Sequence, residues 1–274
     1  MFAYFAAEFK YAEKGGRGQA KKATHKEGQI QRETRGETTC EDFGKRQSPI
    51  NIECKKLLIS TALRQNGGLK VSAPERSKFT LVIHEGGWRA DFSDSHKIEL
   101  TGPHLKNEYV LAQFHAHWAG SSDCGSEHLL DLKSFPAEVH FVFFATKYGD
   151  FDKAAEKPDG LAVLGVFLKE ITASKDQIWQ ELGDAVAAAL KNKTPKDCVL
   201  NLRKMLPETS SFCTYPGSLT TPPYLESVIW NICADAMNIS AGQLELWRKI
   251  VSRNHRKIQL HNDRTVRASA KFSC

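Results

Sequence analysis

Five short stretches rich in β-branched and aromatic residues limit the folds open to this chain of 274 residues more than any other feature. Turn-forming residues separate the stretches, and each has the length and composition of a strand. They are Thr80–Ile83, Tyr109–Trp118, Ala137–Thr146, Leu161–Leu168 and Leu225–Ile232. The sequence therefore predicts a mainly β (α+β) fold.

Helical patterns are fewer. Apolar residues at helical spacing predict a helix over Lys175–Lys191, with Ser174 as its N-cap. A second helix is predicted over Ala241–Val251, behind Ser240. We expect a single domain with these helices at the periphery of a sheet.

The N-terminal part of the chain has a different character. Residues 13–46 are polar, contain six glycines and show no sustained apolar period. This composition predicts a flexible polar extension over residues 1–46, followed by a globular domain over residues 47–274. The aromatic residues near the start suit either a short docking helix or a frayed terminus.

Composition excludes several classes of protein. A hydrophobic fraction of 41% supports a large core, and no apolar run reaches the roughly 18 residues of a membrane span. The net charge of +6 is scattered rather than concentrated, which argues against a nucleic-acid partner. The apolar start Met1–Ala7 lacks the basic residues with which a secretory signal peptide begins, so such a peptide is not expected.

The seven cysteines have an odd count and no close pairs. Together with the lack of a signal peptide, they predict reduced thiols in a cytoplasmic protein. If the N-terminus were incomplete and the protein exported, Cys40 and Cys213 could form a bridge.

Three of the ten histidines are placed unusually. His115 and His117 lie two apart in a predicted strand, so both rings point to the same face. His140 lies in the next predicted strand and could reach the same point. Three neutral imidazoles leave a fourth tetrahedral position open, as in a catalytic zinc site. A His-x-His pair alone is more often an ordinary surface or core pair.

Two further residues strengthen the metal interpretation. Gln113 shares the face of His115, and Glu138 shares the face of His140. Each offers an oxygen that could accept the second N–H of a ligand ring, as metal-bound histidines require.

Longer motifs carry a resemblance to a known family. Over about residues 47–269 the chain resembles the α-class carbonic anhydrases. The matching stretches are Gln47–Ile52, Gln113–Trp118, Gly125–His128, Pro158–Gly165 and Tyr215–Pro223. The resemblance implies a single domain built on a central twisted, mostly antiparallel sheet of about ten strands.

The resemblance also implies roles for individual residues. His115, His117 and His140 match the zinc ligands, with Gln113 and Glu138 as their hydrogen-bond partners. Thr220 and Glu127 match the catalytic pair, in which the threonine donates to the glutamate and therefore accepts from zinc-bound hydroxide. The remaining matches form the substrate pocket: Val142, Val163, Leu219, Thr221, Val228 and Trp230.

The implied activity is the reversible hydration of carbon dioxide to bicarbonate and a proton by zinc-bound hydroxide, with Zn(2+) as cofactor. Sulfonamide inhibition and a monomeric state are further expectations of the resemblance. Tyr224 stands where exported relatives often have a disulfide cysteine, which agrees with a cytoplasmic location. His104 and His128 are predicted to have structural roles, the latter because it follows Glu127 on the opposite strand face.

One departure from the family pattern affects proton transfer. Fast members carry a histidine in the cleft, whereas here Gly87 or a deletion occupies that position. His84, three residues earlier, is the other candidate for a proton shuttle. We expect slowed, buffer-dependent turnover. The alternative is a catalytically silent carbonic anhydrase-related binding or scaffold protein.

Overall fold

The computed structural model describes residues 44–172, 178–209 and 211–272. Within these ranges the strands are β1 (Asn51–Ile52), β2 (Leu58–Ile59), β3 (Lys70–Ser72), β4 (Ser77–His84), β5 (Gly87–Phe92), β6 (Glu99–Thr101), β7 (Tyr109–Trp118), β8 (Leu129–Leu130), β9 (Ala137–Ala145), β10 (Leu161–Ile171), β11 (Lys196–Leu200), β12 (Phe212–Gly217), β13 (Val228–Cys233), β14 (Met237–Ser240) and β15 (Arg267–Ala268). The α-helices are α1 (Phe151–Ala155), α2 (Gln180–Asn192) and α3 (Ala241–Arg248). Short 3-10 helices span Cys54–Lys56, Thr61–Gly67, Thr146–Tyr148 and Leu202–Met205.

Thirteen of these strands form one large mixed sheet. Ten of them follow each other in the order β11-β4-β5-β7-β9-β10-β13-β12-β15-β2, while β3, β6 and β14 attach beside this path. Most pairs are antiparallel, and the parallel ones in this sheet are β10 with β13, β10 with β14, and β15 with β2. The predicted fold class, a mainly β domain around one large sheet, is confirmed.

The strand predictions differ from the structure mainly at their ends. Strand β7 has the predicted bounds, whereas β13 begins at Val228, three residues later than predicted. Helix α3 begins as predicted, because Ser240 and Gln243 form a reciprocal capping box. Helix α2 begins only at Gln180, after the buried Trp179, and the proposed cap Ser174 lies outside the described residues.

The two faces of the central strands pack into different clusters. Phe114 and Phe141 point to the face that packs against α2 and α3, in a core that includes Leu182 and Trp247. Alternate residues of the same strands point the other way, toward a second cluster that contains Trp230. The polar residues of β7 and β9 that the sequence singled out lie on this second face.

The cysteine predictions are partly wrong. Cys54 is disulfide-bonded, so the expectation that every thiol is reduced does not hold. Cys213 is a free and fully buried thiol, which excludes the bridge to Cys40 considered above, and Cys40 itself lies outside the described residues. None of the described helices has the length and apolar character needed to cross a membrane.

Candidate metal centre

Strands β7 and β9 bring three histidines together. His115 lies directly opposite His140 in the antiparallel register, and His117 is two residues further along β7 on the same face. One ring nitrogen from each residue lies within 4.8 Å of those of the other two. The three imidazoles therefore surround a single point.

The other nitrogen of each ring is held by an oxygen acceptor. His115 Nδ1 lies 2.9 Å from Gln113 Oε1, His117 Nδ1 lies 3.0 Å from the carbonyl oxygen of Asn254, and His140 Nε2 lies 2.8 Å from Glu138 Oε1. Since these oxygens only accept, the three nitrogens carry the hydrogens. The opposite nitrogens then hold lone pairs directed at the common point.

The Nε2 atom of His117 is the best test of whether the cluster suits a metal ion. Its Nε2 atom is buried and has no hydrogen-bond partner among the described residues. A buried nitrogen without a partner is costly, and a metal ion would satisfy it. Three neutral imidazoles are a donor set that suits catalytic zinc, so the residues present fit this ion.

The protonation states also suit metal binding. Burial lowers the pKa of His117 to about 4, and it lowers the pKa of His115 and His140 as well. All three rings are therefore neutral at pH 7, and a metal ion need not displace protons from them.

Glu138 is the centre of a buried hydrogen-bond network. Its carboxylate accepts from His128 Nδ1 at 2.7 Å and from the backbone nitrogens of Glu127 and His128 at 2.9 and 2.8 Å, in addition to His140. Burial alone would raise the pKa of Glu138, but His128 and His140 hold it well below its usual range. The carboxylate is therefore ionised and fixes the ring of His140.

His128 has the structural role expected of it, for a different reason. Glu127 and His128 precede β8 and do not lie in a strand, so the predicted opposite strand faces are wrong. The His128 ring spans the 2.7 Å contact to Glu138 and a 2.6 Å contact to the Tyr215 hydroxyl. This network accounts for the closeness of His128, Glu138 and His140 without a second metal ion.

Glu127 lies beside the free histidine nitrogens. Its Oε2 atom is 3.4 Å from His117 Nε2 and 3.9 Å from His140 Nδ1, and its Oε1 accepts from the backbone N–H of Arg256 at 2.7 Å. Burial raises the pKa of Glu127 above its usual value. A nearby histidine, His140, and a hydrogen bond from the Thr220 hydroxyl offset part of this rise. The predicted catalytic pair is thus brought together at the three-histidine cluster.

Apolar side chains adjoin the cluster on the same face. Val142, Val163 and Trp230 face one another directly across β9, β10 and β13, and each is about 2% exposed. Val228, two residues before Trp230 in β13, is also buried. Leu219 and Thr221 are partly exposed on the segment after β12. The six residues predicted to form the substrate pocket therefore divide into a buried row and a partly exposed loop.

The β4–β5 hairpin explains why a side chain is missing at the predicted shuttle position. Gly87 has a φ of +136°, and a Cβ there would lie 2.8 Å from Trp118 Cη2 and 2.9 Å from Asn254 Nδ2. Only glycine fits such a conformation and such a space. His84 pairs with Gly87 across the hairpin, and its Nδ1 accepts from the backbone N–H of Gly86 at 3.1 Å.

Two residues of the site were missed by sequence reasoning. Asn254 holds His117 through its carbonyl oxygen, and Arg256 holds Glu127 through its backbone N–H. Both contacts use backbone atoms: every residue type offers the carbonyl oxygen, and every type except proline offers the N–H. No residue-type pattern could have identified them.

Comparison with known proteins agrees with this geometry. A sequence model of the eukaryotic-type carbonic anhydrases matches residues 32–270, and the chain belongs to this family. Carbonic anhydrase 7 of Homo sapiens is 37% identical over 221 residues, which are 80% of this chain and 82% of the relative. Carbonic anhydrase 7 of Mus musculus is 36% identical over the same shares. The protein is thus a carbonic anhydrase of the α class, an enzyme family that hydrates carbon dioxide.

Proposed function

We propose that the protein catalyses zinc-dependent, reversible hydration of carbon dioxide to bicarbonate and a proton. The observation that carries the proposal is the three-histidine cluster, in which each ring has one nitrogen held by an acceptor. The buried, unpartnered His117 Nε2 supports an ion at its centre. His115 and His140 would complete the ligand set.

Zinc would supply Lewis-acid chemistry that acidifies a water molecule, an effect for which carbonic anhydrases are themselves the standard example. The chain's own residues orient the reaction. Glu127 accepts from Arg256 and interacts with the Thr220 hydroxyl. If Thr220 donates its only hydrogen to Glu127, its oxygen must accept a hydrogen bond from the attacking group. That contact fixes the direction of attack.

The buried row of Val142, Val163 and Trp230 supports carbon dioxide as the substrate. A small molecule without a net dipole loses little by leaving water for an apolar surface. The same side chains exclude water from the site. The partly exposed Leu219 and Thr221 would lie at the entrance.

Proton transfer would be slow in this enzyme. Position 87 cannot carry an imidazole, because the space of its Cβ is occupied by Trp118 and Asn254. His84 at the hairpin is the candidate shuttle that the chain retains. We therefore expect turnover that depends on buffer as the proton acceptor.

Several finer properties belong to the proposal. We expect a monomer that binds sulfonamides at the metal centre. Residues 1–46 are expected to form a polar extension ahead of the catalytic domain. Both curated relatives are named carbonic anhydrase 7, which supports the reaction but says nothing about the extension.

Zinc content and stopped-flow hydration of carbon dioxide, measured on one purified sample, test the proposal. We expect one zinc ion per chain and hydration that a sulfonamide abolishes. The variant His117→Ala should lose both, whereas His96→Ala, on the loop after β5, should retain both. A folded wild-type chain that binds zinc but gives no hydration in strong imidazole buffer would favour the silent binding protein.

A further inference from the structure

An arginine side chain lies over the ring of a tyrosine on the segment that follows Thr220. Arg256 Cζ is 3.8 Å from the centroid of the Tyr224 ring, which is a cation–π distance. Tyr224 has a φ of +59°, in the left-handed region that bulky side chains rarely adopt. A backbone conformation of this kind persists where the surrounding contacts hold it in place.

Hydrogen bonds fix the plane of this guanidinium group. Arg256 Nη1 donates to Gln47 Oε1 at 2.8 Å and to the carbonyl oxygen of Ser48 at 2.7 Å. These bonds use N–H groups at the rim of the plane, whereas the tyrosine ring lies against its face, so the two kinds of contact do not compete. The amide of Gln47 adds a second link, because its Nε2 donates to the carbonyl oxygen of Tyr224 at 3.1 Å. Arg256 and Tyr224 are therefore joined twice, directly and through Gln47.

Tyr224 belongs to the loop that carries Thr220. Its backbone N–H donates to the carbonyl oxygen of Thr221 at 2.9 Å, and the Leu219 N–H donates to the carbonyl oxygen of Leu225 at 2.9 Å. These two bonds close the loop, with Thr220 next to its base. Contacts that hold the Tyr224 side chain therefore limit the movement of the whole loop.

The backbone of Arg256 holds the other member of the catalytic pair. Its N–H donates to Glu127 Oε1 at 2.7 Å, and the Thr220 hydroxyl bonds to the same carboxyl group. Glu127 and Thr220 are only 1% and 8% exposed. Arg256 thus contacts Glu127 through its backbone and the loop of Thr220 through its side chain. A shift of either contact would change the distance between the threonine hydroxyl and its acceptor.

We propose that the contact of Arg256 with the Tyr224 ring sets the position of the Thr220 hydroxyl relative to Glu127, and thereby the rate of attack on carbon dioxide. The inference rests on the proposed function, because it concerns the pair that orients the attacking group in that reaction. Arg256 and Tyr224 are positioning residues, which act through Glu127 and Thr220. The competing possibility is that the contact only stabilises this part of the surface and leaves the loop unchanged.

Two substitutions at one position separate these possibilities. Tyr224→Leu removes the ring and keeps an apolar side chain, whereas Tyr224→Phe keeps the ring face and loses only the hydroxyl. The matched control is Tyr148→Leu, in the short 3-10 helix after β9, where Lys147 Nζ lies 4.7 Å from the centroid of the Tyr148 ring. This control removes the same side chain from the same kind of contact.

Amide hydrogen exchange of the metal-free full chain tests the contact without measuring catalysis. The N–H of Leu219 is bonded at the base of the loop, so its exchange rate reports how often the loop opens. We expect exchange about three- to tenfold faster in Tyr224→Leu, the factor that suits a partly buried cation–π contact. Tyr224→Phe and Tyr148→Leu should match the wild type. Wild-type exchange in Tyr224→Leu would overturn the inference.

Hydration kinetics of the zinc-loaded chains test the consequence for the reaction. In Tyr224→Leu the kcat/KM for carbon dioxide should fall about three- to tenfold, because a misplaced threonine hydroxyl affects the attack step. The kcat in one imidazole buffer should stay near the wild-type value, since proton transfer limits it, and Tyr224→Phe should restore kcat/KM.

Two results would show a merely structural contact and overturn the inference: an unchanged kcat/KM in Tyr224→Leu, or an equal fall of kcat and kcat/KM together with loss of zinc. Absence of hydration in the wild type would instead refute the proposed function. The exchange rates of the metal-free chains would still decide whether the contact holds the loop, so the two failures are distinguishable.

Discussion

His117 donates from Nδ1 to the carbonyl oxygen of Asn254 over 3.0 Å, across a sequence separation of 137 residues. A proposed metal ligand on β7 is thus oriented by a segment near the C-terminus. The Asn254 side chain fixes that segment in turn. It accepts from the Trp118 backbone N–H at 2.7 Å and donates to the carbonyl oxygens of Gly86 and Ala116.

Asn254→Ala should therefore weaken metal binding although Asn254 is not a ligand. The variant keeps the carbonyl oxygen but loses the three bonds that position it. Loss of a partner that orients a ligand typically costs about 10–100-fold in metal affinity. We expect a fall of this size in zinc affinity, measured by competition with a chelator.

His255→Ala is the matched control for this prediction. It alters the next residue, whose ring has one hydrogen-bond partner among the described residues, the Trp118 carbonyl oxygen at 3.3 Å. Zinc affinity should change little in this variant. An Asn254→Ala protein with wild-type zinc affinity would show that His117 does not need this support.

Gly165 is required by the packing behind His140. A Cβ on this residue would lie 2.6 Å from Ile232 Cδ1 and 3.1 Å from Glu138 Oε1. Gly165→Ala should displace these groups, with a cost of about 1–3 kcal/mol in the free energy of unfolding. Zinc affinity should fall as well, because Glu138 holds His140.

The control for Gly165→Ala is Gly242→Ala in α3, where an added Cβ meets nothing within 4 Å. Alanine is the better helix former, so this change should stabilise the protein by up to about 1 kcal/mol. Urea unfolding of the metal-free proteins gives both values. Equal stability of the two variants would contradict the packing argument.

Buffer dependence is the third prediction. With no imidazole at position 87, the maximal turnover of carbon dioxide should rise with the concentration of an imidazole buffer and then reach a plateau. The kcat/KM for carbon dioxide should stay constant, since the proton leaves after the carbon dioxide step. Stopped-flow measurements over a buffer series test this. Turnover independent of buffer would show that His84 or another group transfers the proton efficiently.

Gly87→His is not a clean test of the same idea. A side chain at this residue would meet the Trp118 ring and Asn254, and φ is +136°. Asn254 in turn orients His117, so the variant would disturb the metal centre itself. Loss of activity would then say nothing about the shuttle.

The sequence predicted that the three histidines come together, because ligand chemistry demands particular residue types at strand spacing. His115 and His117 share a face for that reason, and Gln113 and Glu138 follow from the same alternation. The β-bulge between Leu111 and Gln113 was not predictable in this way. It shifts the register by one residue, so Leu111 and Gln113 point to different faces despite their even spacing.

The packing around the turns was likewise beyond the sequence patterns. Two adjacent glycines, Gly86 and Gly87, indicate a turn, but only the structure shows that Trp118 and Asn254 fill the space of a Cβ. Long-range backbone contacts, such as that of Arg256 with Glu127, depend on how segments far apart in the sequence pack together. Local patterns along the sequence carry little information about such long-range packing.

Asp159 gives the chain a source of acid sensitivity away from the metal centre. Its carboxylate accepts from Lys147 Nζ at 2.8 Å, the Tyr148 hydroxyl at 2.5 Å and Asn107 Nδ2 at 3.0 Å. These bonds, that of Lys147 foremost, lower the pKa of Asp159 well below its usual range. A carboxyl group with a lowered pKa stabilises the folded state above its unfolded pKa of about 3.9, and this contribution is lost as the pH falls further.

Asp159→Asn should therefore reduce the free energy of unfolding at pH 7 by about 0.5–1 kcal/mol, a small value because the carboxylate is partly exposed and screened by solvent. The difference from the wild type should stay constant down to about pH 5 and shrink below about pH 4. Urea unfolding at pH 7, 5 and 3 measures it. Asp123→Asn, on an exposed turn, is the control and should leave the free energy of unfolding unchanged. A difference that persists unchanged at pH 3 would mean that Asp159 acts through its shape and not through its charge.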